Sequence, residues 1–424
     1  TQDNGVWMGS HTYKNSTRWQ SSGEYPYKSI MGGDGMQVQI DSRDNATIYT
    51  GFQFGNYFRI NKAKKDRTFI TPKHDLGQKP YRWNWQTPIL LSPHNQDILY
   101  MGANKLLRSM NQGKDFKEIS GDLTQGGREG DVAFGTITTM DESKLKFGLI
   151  YVGTDDGNIH VTKDGGYSWN KISNGMPEGL WVSRVQASAH DEATVYVTLN
   201  GYRNDHFKAY VYMSTDHGVT WNDISSNLPN EPVNVIKEDP TDGDILYIGT
   251  DHGAYVSMAK GKNYMILASE MPKVPVHDMV IQSKAKHLII GTHGRSLYKV
   301  NISNLNDMKN NLNEQLIVFK PADIRFSTNW GKNRNVYTEP VMPKLSFQTF
   351  ADNEREVKLE ILSSEGIVFK SQNLQLKKGL SGYEIAIRVD KLSEPAYIKA
   401  MEKSDWVKNQ GPMTKADDGF YYLI

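Results

Sequence analysis

The 424-residue chain contains no cysteine. That excludes disulfides, cysteine-ligated zinc, iron–sulfur clusters and thiol nucleophiles. It also has almost no net charge: 49 Lys and Arg stand against 48 Asp and Glu, leaving +1 at neutral pH. Such a balance supplies no long-range field to gather nucleic acid or an anionic membrane. No apolar run approaches the roughly 18 residues of a membrane-spanning helix. No basic-then-apolar targeting segment stands at its start. What is plentiful is glycine (37), tyrosine (22) and tryptophan (9), the composition of a β protein punctuated by turns. At roughly 100–200 residues per domain, two or three domains are expected.

A repeat organises the first three hundred residues. Short β-branched and aromatic runs recur at Thr47-Ile48-Tyr49-Thr50-Gly51, Ile98-Leu99-Tyr100-Met101-Gly102, Leu149-Ile150-Tyr151-Val152-Gly153, Thr194-Val195-Tyr196-Val197, Ile245-Leu246-Tyr247-Ile248-Gly249 and Leu288-Ile289-Ile290-Gly291. Their spacing of 42 to 51 residues is that of β-propeller blades, four strands to a unit. Each unit has an apolar strand, such as Val233-Asn234-Val235-Ile236, a polar turn such as Asp239-Pro240-Thr241-Asp242, the Ile-Leu-Tyr strand, a glycine turn, and a third strand such as Gly253–Ser257. Proline fixes φ and glycine supplies positive φ at those turns. The helical stretches that parallel βαβ units require are missing.

A second motif follows the third strand. Thr162-Lys163-Asp164-Gly165-Gly166-Tyr167-Ser168-Trp169 and Ser214-Thr215-Asp216-His217-Gly218-Val219-Thr220-Trp221 both fit Ser/Thr-x-Asp-x-Gly-x-Ser/Thr-Trp. Looser copies begin at Ser109 and Ser257. The carboxylates of Asp164 and Asp216 are expected to accept backbone N–H bonds across a hairpin turn, with Trp169 and Trp221 packing between blades. These four residues are read as structural.

Seven third-strand segments are recognisable, around Val6, Tyr57, Leu107, Ile159, Val211, Tyr255 and Leu297. The expected architecture is an all-β, seven-bladed propeller over residues 1–300; a larger ring or tandem rings is the alternative. The first unit starts mid-blade, so a fragment, or strands supplied from elsewhere, is expected. Residues 301–314 are Asn-rich and read as a linker with room for a short helix. Residues 315–424 change pattern: Val357–Leu362 alternates apolar and polar, Ser363–Gly366 turns, Ile367–Phe369 follows, Leu374–Tyr383 reads as an edge, and Tyr383–Ile387 and Gly419–Ile424 read as strands. A small immunoglobulin-type β-sandwich, truncated at its end, is expected there.

The two eight-residue motifs, Tyr151–Gly157, Tyr247–Gly253 and Gly33-Asp34-Gly35 resemble the sortilin-type, or BNR Asp-box, propeller family, and the related xyloglucanase-type glycoside hydrolases. Thr1–Trp7, Leu180–Arg184 and Gly291–Ser296 are similar to exported Bacteroidota proteins that are called sortilin-like or glycosyl-hydrolase-like. The resemblance covers about residues 1–300. It implies a secreted or cell-surface protein without a cofactor that binds a protein, peptide or polysaccharide. It departs from animal sortilins, which place a Cys-rich module after the propeller. It departs from sialidases too, since no Arg triad with a Tyr nucleophile can be placed.

Ligands of propellers usually meet the face where the first strands enter the channel. Those entry positions hold Asp34, Asn84 with Trp85, Thr136, Ser183 with Arg184, Asn234, and His277 with Asp278. Glycoside hydrolysis needs two carboxylates flanking the bond at roughly 5 Å or roughly 6.5–9.5 Å, and Asp34 and Asp278 are the candidate catalytic pair. In the xyloglucanase-type relatives a catalytic Asp lies in a similar first-strand context to Asp34; a turn-capping carboxylate is its other reading. Trp83, Trp85 and Trp181 could stack on sugars. Strict strand alternation would put His277 and Asp278 on opposite faces. Asp251, His293 and Arg295 occupy hairpin turns beside the same face, and with Trp85, Arg184, Asn234 and His277 they form the candidate ligand-binding set. No histidine pair has metal-ligand spacing, and Asp155-Asp156-Gly157 lacks an EF-type loop. The expected function is a binding propeller; the alternative is a glycoside hydrolase of xyloglucanase-like type using an Asp acid/base pair.

Overall fold

A computed structural model describes every residue except 1–2, 11–17, 24, 131–132, 268, 312, 328, 333–340 and 424. Parts of the Thr1–Trp7 and Gly419–Ile424 segments therefore lie outside the described residues. The chain divides into two compact units. The first comprises Thr1–Tyr264 and Lys273–Lys299, the second Met265–Pro272 and Val300–Ile424.

In the first unit, four consecutive stretches each fold into a four-stranded antiparallel sheet whose neighbours follow chain order. The strands that begin these sheets are Gln39–Ile40, Ile89–Leu91, Ile137–Glu142 and Trp181–Ala187. Val233–Glu238, Leu246–Thr250 and Ala254–Ser257 continue the series, as do Val276–Gln282, His287–Thr292 and Leu297–Asn301. Val6–Gly9, the first recognised third-strand segment, pairs with Tyr27–Met31 in a two-stranded sheet. The first strand of each sheet lies beside the first strand of the next, from Gln39–Ile40 through Val276–Gln282. Sheets that succeed one another with their first strands side by side are consistent with the blades of a β-propeller.

Burial explains the repeated apolar text. A blade in the series is covered on both faces, so its second strand cannot alternate. Leu246–Thr250 and Ile150–Thr154 are buried at every residue. The apolar clusters accordingly join neighbouring sheets: Ile98, Tyr100 and Leu106 pack with Ile137, Met140 and Val152, and Tyr196 and Val211 with Val233, Ile236 and Ile248. Each fully buried large side chain of this kind contributes about 1.5–3 kcal/mol.

The glycine that ends the Tyr-x-Gly run has a packing cause. A Cβ on Gly153 would lie 2.4 Å from Val182 Cγ1, and one on Gly249 would lie 2.6 Å from Val276 Cγ1. In both cases the first strand of the next sheet fills the space a side chain would need.

The eight-residue motifs are closed hydrogen-bonded turns. Asp164 accepts from the Thr162 hydroxyl (2.7 Å), the Ser168 N–H (3.0 Å) and the Ser168 hydroxyl (2.6 Å). Asp216 accepts the equivalent three bonds from Ser214 and Thr220 at 2.7, 2.9 and 2.6 Å. These donors hold the Asp216 carboxyl down at about 2, from an ordinary 3.8, and depress Asp164 still further. Trp169 and Trp221 donate their indole N–H to the Ile119 and Ile172 carbonyls of the preceding sheets, at 2.8 and 2.7 Å. Each motif thus closes its own hairpin and ties it to the neighbouring blade.

The second unit contains a three-stranded sheet of Leu316–Val318, Lys344–Ala351 and Gly379–Ala386, and a hairpin of Arg355–Leu362 with Val368–Leu376. Leu345 and Phe347 from the sheet and Val357, Leu359 and Ile361 from the hairpin line one cavity of about 300 Å³. The run read as a single edge, Leu374–Tyr383, is the end of one strand and the start of another. Leu305–Asn310 is a short helix. Two further helices, Glu394–Met401 and Asp405–Gln410, have no counterpart in the sequence reading. The Ser404 hydroxyl caps the second one by accepting the Val407 N–H. At eight and six residues both are too short for a 3.6-residue periodicity to stand out. They hold Tyr397 and Met401 against Phe369 and Val389. Near the end of the chain, Tyr422 forms only an isolated bridge with Arg388 among the described residues.

Candidate functional site

Four successive first strands break register at the same place. The shifts fall between Ile137 and Thr139, Val182 and Arg184, Val233 and Val235, and Val276 and Asp278. Each inserts one unpaired residue: Thr138, Ser183, Asn234 and His277. A β-bulge of this kind bends the strand and re-aims its side chain. All four unpaired residues line a single cavity of about 440 Å³. The bulge also overrides alternation. With one extra residue in the strand, neighbours His277 and Asp278 both line the cavity, where a regular strand would separate them.

The bulged side chains do two kinds of work. The Thr138 hydroxyl donates to the Val182 carbonyl at 2.6 Å, and the Ser183 hydroxyl to the Val233 carbonyl at 2.7 Å. Each bond reaches the next strand just before its own bulge and links the blades there. Asn234 instead accepts from Asn200 Nδ2 (2.6 Å) and donates to Asp251 Oδ1 (2.9 Å). The His277 ring stacks on His293, with centroids 5.1 Å apart and planes 27° apart. Although part of its surface reaches solvent, the protein around His277 pushes its pKa below the ordinary 6.5, and the neighbouring His293 adds to that.

An ion pair spans the cavity. Arg184 Nη2 donates to Asp278 Oδ1 at 2.7 Å, joining first strands that lie two sheets apart. Arg184 is mostly buried and Asp278 half-exposed. On the rim, the Arg203 guanidinium lies over the Trp181 ring, 4.3 Å from its centroid. Such a contact holds both groups in place while leaving the guanidinium edge open.

Of the residues singled out from the sequence, Arg184, Asn234, Asp251, His277, Asp278 and His293 share the cavity, with Asn84, Trp181 and Ser183. Asn84 donates to the Thr136 hydroxyl at 2.8 Å. Thr136 in turn gives its N–H and hydroxyl to buried Asp155, at 2.9 and 2.6 Å. Asp34 lies elsewhere. It is buried, its Oδ1 accepts the Asp3 N–H at 2.9 Å, and it is not among the cavity-lining residues. The carboxylates in the cavity are Asp251 and Asp278. Trp85 is half-exposed and meets Phe54 edge-on at 5.2 Å, and Arg295 is exposed on its hairpin; neither lines the cavity.

Asn200, Tyr202, Arg203, Gln37, Gln86 and Thr138 line the cavity and were not singled out from the sequence. A signal for three of them was present. Where two other units read Gly-Thr-Asp after the Tyr strand, at Gly153–Asp155 and Gly249–Asp251, this one reads Leu199-Asn200-Gly201-Tyr202-Arg203. The altered hairpin carries a 3-10 turn, Tyr202–Asn204, closed by Asp205 in the left-handed region.

No helix among the described residues is long and apolar enough to cross a membrane. Among the described residues, no group of three or more His, Asp or Glu could hold a metal ion.

The strand pairings and the shared cavity are consistent with a β-propeller as the class of the first unit. No protein-family model matches the chain, and no curated protein matches it. Among solved structures, it is similar to the GH74 xyloglucanase from Xanthomonas campestris, at 17% identity over 62% of this chain and 44% of that one, with a TM-score of 0.48. It is similar to the GH74 enzyme of Niastella koreensis, at 15% identity over 75% of this chain and 50% of that one, TM-score 0.48. It is also similar to YCF48 bound to D1 peptide, at 11% identity over 68% of this chain and 85% of that one, TM-score 0.45. The chain spans about half the length of the two GH74 enzymes.

Proposed function

We propose that this chain is a secreted or cell-surface binding propeller that recognises a protein, peptide or glycan at the bulge-lined cavity and performs no catalysis there. The observation that carries this reading is the state of the two carboxylates. Asp278 is tied to Arg184 and Asp251 to Asn234. A glycosidase needs one carboxylic acid to protonate the leaving oxygen and a second carboxylate to act as base or nucleophile. Here one oxygen of each, Asp278 Oδ1 and Asp251 Oδ1, is engaged by a neighbouring side chain, and both act as anchors for a polar surface. At about 440 Å³ the cavity falls within the size range of ligand pockets. Its amides, hydroxyls and imidazoles offer closely spaced donors and acceptors, which suits selection by local hydrogen bonds without a steering field. The resemblance of the Asp164 and Asp216 motifs to Asp-box turns of sortilin-type propellers accords with binding, and with export from the cell.

A second reading, a glycoside hydrolase, is favoured by one observation: Asp251, Asp278 and His277 share one cavity. A single experiment separates the two. The full chain is presented to glycan and peptide arrays, and in parallel to a polysaccharide panel assayed for new reducing ends. The binding reading expects saturable capture that weakens at least tenfold in Arg203→Ala, with no reducing ends released. Release of reducing ends that disappears in Asp251→Asn or Asp278→Asn overturns it.

A further inference from the structure

The cavity of about 300 Å³ in the second unit shares no residue with the proposed ligand site. Its walls come from the three-stranded sheet and from the hairpin, and alternation gives each wall one apolar face. Val357, Leu359 and Ile361 alternate with Glu356, Lys358 and Glu360 along the hairpin. Leu345 and Phe347 alternate with Lys344, Ser346 and Gln348 along the central strand of the sheet. In a closed sandwich, facing residues of this kind interdigitate and fill the gap between sheets. Here Leu345, Val357, Leu359, Ile361 and Leu374 stay partly exposed, and Val318 on the edge strand is 60% exposed. The gap is open to solvent, and its apolar walls hold water that an apolar body would release.

One polar group interrupts the lining. Thr349 follows Leu345 and Phe347 at the same two-residue step, so it faces the same way. It lines the cavity at 1% exposure, and its hydroxyl has no hydrogen-bond partner among the described residues. Its cross-strand neighbours do not supply one: Val318 is apolar, and the Ser381 hydroxyl pairs with that of Ser269 at 2.5 Å. A buried hydroxyl left in this state costs stability that a partner would restore. The two ionic side chains of the lining, Lys358 and Glu360, bind each other at 2.6 Å, and alternation places them on the other face of the hairpin.

We propose that this cavity binds a small neutral molecule with a hydrocarbon body and one hydroxyl group, which exchanges a hydrogen bond with the Thr349 hydroxyl. A hydroxyl both donates and accepts, so Thr349 can meet it in either sense. A carboxylate would enter between apolar walls with no unpaired cation in the lining, and nothing would compensate its desolvation. An apolar cavity of about 150 Å³ takes a benzene-sized guest, so this one admits a fused bicyclic ring or a medium-length alkyl chain. The site does not depend on the reading of the first unit as a binding propeller.

The test uses the full chain and three probes of one shape, naphthol, naphthalene and naphthoate, at neutral pH where naphthol is uncharged. A methyl-resolved NMR titration is expected to show one saturable naphthol site, with shifts confined to lining methyls such as those of Val318 and Leu359. Naphthoate is expected to bind at least tenfold more weakly. Thr349→Val keeps the shape and removes the hydroxyl; it is expected to weaken naphthol at least fivefold and to leave naphthalene within twofold. Leu359→Trp, which fills the cavity, is expected to abolish binding of both, with circular dichroism confirming that the variant is folded. Absence of saturable naphthol binding by the unmodified chain overturns the proposal. So do shifts centred elsewhere, naphthoate binding as tight as naphthol, or full naphthol affinity in a folded Thr349→Val. Movement of the same methyls with protein concentration alone would assign the face to a second copy of the chain, and overturns it too.

Discussion

Tyr100, Tyr151 and Tyr196 occupy one repeated position in three successive sheets, and all three are fully buried. Their hydroxyls have different surroundings, and that difference makes a test internal to the protein. Tyr196 donates to Glu238 Oε1 at 3.0 Å. The same carboxylate takes the Ser188 hydroxyl at 2.8 Å and the Ala189 N–H at 2.7 Å. The Tyr151 hydroxyl has no partner. Hydrogen bonds to charged groups contribute about 1.5–3 kcal/mol. Glu238 keeps two donors when Tyr196→Phe removes the third, so a loss near the low end, about 1.5 kcal/mol, is expected. Tyr151→Phe removes a buried hydroxyl that repays none of its desolvation, and is expected to be neutral or to stabilise by up to about 1 kcal/mol. The gap between the variants is therefore about 2 kcal/mol. With a urea m-value of about 2 kcal/mol/M, the midpoints should differ by about 1 M. Tryptophan fluorescence in urea reads both, provided the slopes match the parent. If Tyr151→Phe lowers the midpoint as much as Tyr196→Phe, the hydroxyls are not distinguished by their partners and the reasoning fails. Tyr100→Phe, which removes a 3.1 Å bond to Glu142, should behave like Tyr196→Phe.

Three further outcomes are expected. Gly249→Ala should cost about 1–3 kcal/mol, because the new methyl must displace Val235 and Val276; Gly32→Ala, whose Cβ meets nothing within 4 Å, should leave the urea midpoint almost unmoved. Asp216 has a folded pKa of about 2 against 3.8, so its contribution to stability is present above pH 3.8 and is lost as pH falls through 2; a carbonyl NMR titration with its midpoint near 3.8 would contradict the turn geometry. Burial raises Asp141 to about 6, so the folded state favours its protonated form and the ionised carboxylate is a liability above that pH. Asp141→Asn should therefore stabilise the protein by about 1–2 kcal/mol at pH 8, and the gain should fade below pH 4; a pH-independent effect would assign it to packing.

The blade repeat was legible because the physics behind it is local. A second strand buried on both faces must be apolar throughout, a glycine must stand where the next sheet approaches, and a closed turn needs Ser or Thr, Asp and Gly at set offsets. Each leaves a residue type at a fixed position. The bulges leave none. One extra residue in Val276–Gln282 looks like ordinary strand text, and alternation then assigns His277 and Asp278 to opposite faces. Asp34 shows the converse. Its glycine neighbours mark a tight turn, and a carboxylate in such a turn is as readily spent on a backbone N–H as on a ligand; here it accepts the Asp3 N–H. The helices Glu394–Met401 and Asp405–Gln410 were hidden by their brevity.

The cavity shows how one scaffold position can carry varied chemistry. Thr138, Ser183, Asn234 and His277 are equivalent in backbone terms, each the unpaired residue of a first-strand bulge. Two carry hydroxyls and spend them on the next strand's carbonyl, so that side of the cavity is committed to joining blades. The other two carry an amide and an imidazole, which turn to Asp251 and His293 instead. The altered hairpin with Arg203 belongs to the sheet that carries Ser183, beside the one that carries Asn234. Selectivity is therefore expected to reside on the Asn200–His293 side, and exchanging Thr138 for Ser should leave ligand capture intact where Asn234→Ser weakens it. Equal loss from both substitutions would place recognition in the ring as a whole and not on one side of it.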